Sequence, residues 1–167
     1  MNQIHLEAIQ VKPLIFVENS FKLKHVFNKP ISNCWDIFNH SKTFTKNQIF
    51  PFKVEFCPEN TLTDNHFHEN VWTNHHGPLL NVAGQIITMQ KPSYRDLHYC
   101  YGSYIFSFRL IRPVRLQFYF EALDAKTTAV SVQLDCYVKP WFNKIWPIVQ
   151  YIFWKPFFLS INLSIKK

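Results

Sequence analysis

Between Gly84 and Val138 the chain alternates apolar and polar residues in run after run, and Ile145–Ile165 follows as one long, very apolar segment. That order constrains the fold more than any other feature. Gly84–Gln90 reads as a strand closed by Lys91-Pro92-Ser93. Tyr94–Leu110 reads as a long strand with a bulge or bend at Gly102-Ser103, and Ile111-Arg112-Pro113 turns it. Val114, Leu116, Phe118 and Phe120 then alternate with Arg115, Gln117, Tyr119 and Glu121. After a turn at Asp124-Ala125-Lys126, Val130, Val132, Leu134, Cys136 and Val138 alternate with Ser131, Gln133, Asp135 and Tyr137. Period-two segments joined by short turns predict an antiparallel meander, whose apolar face must be covered.

The cover is the C-terminal segment. Ile145, Val149, Ile152, Pro156, Leu159 and Leu163 fall on one helical stripe, with Lys144, Tyr151, Lys155, Asn162 and Lys166 opposite. The spacing predicts an amphipathic helix with the first stripe inward. Pro147 suits its first turn, Trp141–Trp146 reads as a separate lead-in, and Pro156 is expected to kink the helix or end its first half. The segment is about as long as a membrane span. Pro147, Lys155, Pro156 and Asn162 interrupt it, and a mid-span charge is costly, so a core-packing helix is favoured and a membrane-surface helix ranks second.

Upstream, Phe21–Phe27 alternates as a strand and Asn28-Lys29-Pro30 breaks it. Ser32 is placed as the N-cap of a short helix with Cys34, Trp35 and Phe38 at helical spacing. Lys42–Ile49 reads as a second short helix ended by Pro51. Strands are expected at Phe52–Phe56 and His66–Trp72, with Thr73–Pro78 as a turn. Residues 1–20 form an N-terminal arm, and 21–167 form one α+β domain, a size that suits a single core.

The stretch "FKLKHVFNKPISNCWDIF", Phe21–Phe38, resembles the opening of the START/Bet v 1-like (SRPBCC, helix-grip) superfamily: a first strand, a Pro-containing turn and a short helix bearing a Cys34-Trp35 pair. The remaining elements follow the same order, so the resemblance covers about residues 21–167. It implies a helix-grip fold, a curved antiparallel sheet wrapped around the long C-terminal helix, with an apolar cavity between them. Members of this superfamily carry lipids, bind hormones or steroids, or cyclise polyketides. The family has no single catalytic motif, so no catalytic residue carries over. With only three glycines, the chain lacks the Gly-rich loop of the plant pathogenesis-related members.

Seventeen Phe, seven Tyr and five Trp would fill or line such a cavity. The candidate lining is Trp35, Phe106, Phe108, Phe118, Phe120, Leu134, Cys136, Val149, Ile152 and Phe153. Phe158, on the Lys-bearing side, is the aromatic to watch for exposure. The first reading is therefore binding or transport of a hydrophobic small molecule or lipid, without catalysis and without a cofactor. The second is a polyketide cyclase or aromatase using the same cavity, which needs buried acid–base groups converging there. The third is a peripheral membrane or protein-interaction module.

His66, His68, His75 and His76 are the densest ionisable cluster; His66 and His68 are the weak metal candidates, and an exposed polar hairpin is the preferred reading. Arg109, Arg112 and Arg115 are placed together around a turn, most simply as a solvated hairpin end. The formal charge of +7 fits an anionic membrane surface, whereas the dispersed Lys and Arg put nucleic acid last. Cys34, Cys57, Cys100 and Cys136 lack C-x-x-C spacing, and no leader-like run opens the sequence, so reduced thiols and a cytoplasmic location are expected.

Overall fold

The computed structural model describes residues 10–48, 55–58 (backbone only), 66–77, 79–104 and 109–165. Among the described residues seven strands form one antiparallel sheet: β1 (Val17–Phe27), β2 (Glu55–Pro58), β3 (Trp72–Gly77), β4 (Leu80–Gln90), β5 (Tyr94–Tyr104), β6 (Ile111–Ala122) and β7 (Thr128–Val138). Their order across the sheet is β1-β7-β6-β5-β4-β3-β2. Two short helices, α1 (Ile31–Phe38) and α2 (Ser41–Asn47), follow β1. A 3-10 turn at Pro140–Phe142 leads into the long helix α3 (Trp146–Ser164).

The register explains which side chains meet. Phe21 lies opposite Leu134 and Leu23 opposite Val132, while Leu116 and Phe118 take the other side of the same two β7 residues. Leu97 and Ile86 continue this row into β5 and β4. These positions share one pleat face, so the period-two pattern becomes a continuous apolar surface. Gly102 sits at φ +109°, and an added Cβ would strike the backbone of Asn81 and Val82. Only glycine tolerates both demands.

Several boundaries differ from the sequence reading. β1 starts at Val17, four residues before the alternating run, because Val17 already pairs with Val138. α1 has Pro30, not Ser32, at its N-cap, with no side-chain cap. α2 is capped by His40, whose Nδ1 accepts from the Lys42 amide. The residues from Thr73 to Gly77, expected to turn, are strand; Thr73 and His75 point inward and are buried. Of the expected strand His66–Trp72, His66 makes an isolated bridge to His40, and only Trp72 belongs to β3. Ile111–Pro113 belongs to β6, whose ladder with β7 is irregular between Pro113 and Arg115. Pro51, Phe52, Lys53 and Val54 lie outside the described residues.

α3 differs most. Its buried face is Trp146, Gln150, Trp154, Phe157, Phe158 and Ile161. The stripe expected to face the sheet is turned outward: Ile145, Ile152, Leu159 and Leu163 are exposed, whereas Phe158 is fully buried. The helix is apolar around its whole circumference, so hydrophobic spacing did not select a face. Aromatic bulk did, since Trp and Phe remove the most surface from water. The helix also runs through Pro156 to Ser164.

The core is one aromatic cluster. Phe38 of α1 stands within 5.5–6.4 Å, ring to ring, of Phe27, Phe118, Phe120, Phe157 and Phe158. Trp35 meets Phe120 edge-on at 5.3 Å. One polar pair is built into α3's inner face: Trp154 Nε1 donates to Gln150 Oε1 at 3.0 Å, one turn away.

Candidate functional site at Arg95

Strand alternation puts Arg95 in phase with Leu97 and Tyr99, so the inner face of β5 carries a cation into the aromatic core. Nη1 of Arg95 donates to the carbonyl oxygen of Phe38 at 2.8 Å and to Asn39 Oδ1 at 2.9 Å. Asn39 Nδ2 in turn donates to the Trp35 carbonyl oxygen at 2.8 Å. The guanidinium thus caps the C-terminal end of α1, where carbonyls lack helical partners. It lies over the rings of Phe67 and Phe118 at 4.7 Å and of Phe44 at 5.4 Å. Nε and Nη2 make no hydrogen bond among the described residues, and no carboxylate there pairs with the charge. Burial lowers the Arg95 pKa to about 9, which leaves it charged at neutral pH.

His75 stands beside Arg95 on β3. Its Nε2 is 3.2 Å from Thr73 Oγ1, and its ring meets Tyr99 edge-on at 5.8 Å. Burial first, then the Arg95 and His76 charges, lower its pKa to about 3, so it is neutral. Burial also drives the Tyr99 phenol well above its ordinary value. Arg95, His75 and Thr73 share an internal cavity with Phe44, Phe67, Ile86, Leu97 and Leu116; its volume is about 10 Å³, room for one water.

The sequence-chosen lining is distributed differently. Trp35, Phe118, Phe120, Leu134 and Cys136 are buried in the aromatic cluster, with Val149 and Phe153 half-buried against it. Ile152 is 53% exposed and faces away from the grip, a correction that follows from the orientation of α3. Phe106 and Phe108 lie outside the described residues. The cavity at Arg95 has another lining, and its one sequence signal was an arginine in phase with Leu97 and Tyr99.

The histidines do not converge. His66 and His68 are exposed, with the His66 ring 4.9 Å from that of His40; His75 points inward and His76 outward. Among the described residues no group of three His, Cys, Asp or Glu stands close enough to hold a metal ion. Arg115 stands in β6 and is ion-paired within the sheet. On the outer sheet face its Nη2 donates to Asp96 Oδ2 at 2.6 Å, and His98 Nε2 approaches the same oxygen at 2.9 Å. Burial opposes the Asp96 charge, but the His98 and Arg115 hydrogen bonds outweigh it and hold the carboxyl below its ordinary range.

No protein-family model and no curated protein sequence matches the chain. Solved structures do. Norcoclaurine synthase from Thalictrum flavum superposes with a TM-score of 0.65 at 9% identity, over 100% of this chain and 99% of that one. Ara h 8.0201, a Bet v 1 allergen, gives 0.60 at 12% identity, over 89% and 98%. The chain has the Bet v 1-like helix-grip fold. An uncharacterised protein from Rhizobium leguminosarum superposes on the same helix-grip frame at 0.63 and 9% identity, over 90% of this chain and 96% of that one. In helix-grip order, α1 and α2 close one end of the sheet and α3 crosses its concave face, which puts Arg95 where sheet and α1 meet. Among the described residues no helix is long and apolar enough to cross a membrane.

Proposed function

We propose that the chain binds a hydrophobic small molecule or lipid inside the grip, with an acidic or carbonyl head group on Arg95. The observation that carries this reading is a charged guanidinium, buried among Phe44, Phe67 and Phe118, that directs both its hydrogen bonds through one nitrogen. Burying such a charge is costly, and an anionic or carbonyl partner offsets that cost. The fold supports it too: norcoclaurine synthase has been solved in complex with dopamine and hydroxybenzaldehyde.

Among the described residues the cavity beside Arg95 is about 10 Å³, whereas drug-sized sites are several hundred, so a head group at Arg95 must displace a side chain there. Phe44 is the side chain to displace: it is the one large apolar residue that the seven-residue α2 buries. Binding is favoured over the cyclase alternative because no carboxylate is among the described lining residues, His75 is a very weak base and Tyr99 a very weak acid. The test is native mass spectrometry and thermal shift with paired ligands, decanoic acid against decanol. The acid should bind more tightly to the wild type, and Arg95→Met should erase the difference. If neither compound binds or shifts the melting temperature, the reading is wrong.

A further inference from the structure

We infer that the outward face of α3 docks on an anionic lipid bilayer, independently of what the interior binds. The face is apolar and continuous. Ile145, Ile148, Ile152, Leu159 and Leu163 recur at three-, four- and seven-residue steps and are all exposed, Ile148 at 60% and Leu163 at 66%. Lys155, which spacing alone set opposite the aliphatic residues, borders the row and is half-buried, and Tyr151 stands half-exposed on the same side. Single exposed aliphatic residues are ordinary, but a row running about 27 Å along a helix is not.

Charge selects the occupant. No Asp or Glu follows Asp135, while Lys139, Lys144 and Lys155 lie along the 3-10 turn and α3. The open groove of about 690 Å³ between α2 and the end of α3 adds Lys42 and Lys46, and its lining holds no acid. Trp141, 64% exposed at the N-terminal end of the stripe, is the side chain that favours a membrane–water interface. An apolar row rimmed by lysine fits acyl chains below and anionic head groups around it. A second copy fits worse, since facing stripes would bring lysines together with no carboxylate between them.

The test is flotation of the full chain with phosphatidylcholine vesicles, with and without phosphatidylserine, at low and high salt, alongside sedimentation velocity. The wild type should float with phosphatidylserine vesicles only, and high salt should release it. Ile148→Ser with Ile152→Ser should abolish flotation at an unchanged melting temperature, because both sites are solvent-facing. Lys144→Gln and Lys155→Gln should each weaken binding about fivefold, a second measure that does not touch the apolar row. The inference is overturned by no flotation, by flotation indifferent to phosphatidylserine, by serine variants that float like the wild type, or by a dimer that those variants dissolve.

Discussion

Nη1 of Arg95, on the inner face of β5, donates to the carbonyl oxygen of Phe38, the last residue of α1, at 2.8 Å. One side chain therefore fastens the first helix to the middle of the sheet. Arg95→Met keeps an apolar stem against the rings and leaves the Phe38 carbonyl and Asn39 Oδ1 without their donor. A loss of about 2 kcal/mol is expected in urea unfolding. In a double-mutant cycle, Asn39→Ala should cost less in the Arg95→Met background than alone; strict additivity would refute the coupling.

Acid should unfold the protein through His75. Its folded pKa, about 3, lies below the ordinary 6.5, so the neutral ring is the folded form. The stabilising contribution is complete above about pH 6.5 and is lost as pH falls toward 3, by at most about 5 kcal/mol. His25, lowered by burial and by Lys155, acts in the same direction. Urea midpoints at neutral and mildly acidic pH should converge in His75→Gln relative to the wild type. Equal acid sensitivity in the two proteins would remove His75 from the account.

The orientation of α3 makes a paired prediction. Phe158 is fully buried and stacks on His25 at 5.7 Å, so Phe158→Ala should cost about 3–5 kcal/mol. Ile152→Ala, on the outward stripe, should stay within about 0.5 kcal/mol. The reverse ranking would mean that the aliphatic stripe packs on the sheet after all.

Cys34 and Cys136 are buried, and burial pushes both thiols above their ordinary pKa, partly opposed at Cys34 by Thr128 and Lys29 and at Cys136 by Trp146. The thiolate is the reactive form. Native-state alkylation followed by peptide mass spectrometry should leave both unmodified until denaturant is added. Rapid labelling of either under native conditions contradicts its packing.

The strands were legible because their period is two and one face is buried: Phe118 and Phe120 could only point the same way as Val130 and Val132. α1 was legible from Cys34, Trp35 and Phe38 at helical spacing. The facing of α3 was not, since Ile152 and Phe158 both read as apolar and only competition for sheet area separates them. Thr73–His76 misled because polar residues suggest a turn, although Thr73 and His75 alternate inward as a strand requires. Arg95 escaped notice because an arginine in a strand reads as outward, and its partner carbonyl on α1 leaves no trace in sequence. Arg115 was grouped with its sequence neighbours, while its partner Asp96 lies across a strand pair.

The sheet order carries a consequence for synthesis. Among the described residues β1 pairs with β7 alone, along its full length from Val17–Val138 to Phe27–Thr128. As the chain emerges N-terminus first, β1 has no strand to join until β7 has been made. β4, β5, β6 and β7 meet neighbours adjacent in the chain and can assemble as they appear. Through that interval Phe21 and Phe27 of β1 lack their β7 partners Leu134 and Thr128, which delays completion of the sheet until its most distant strand pairing forms.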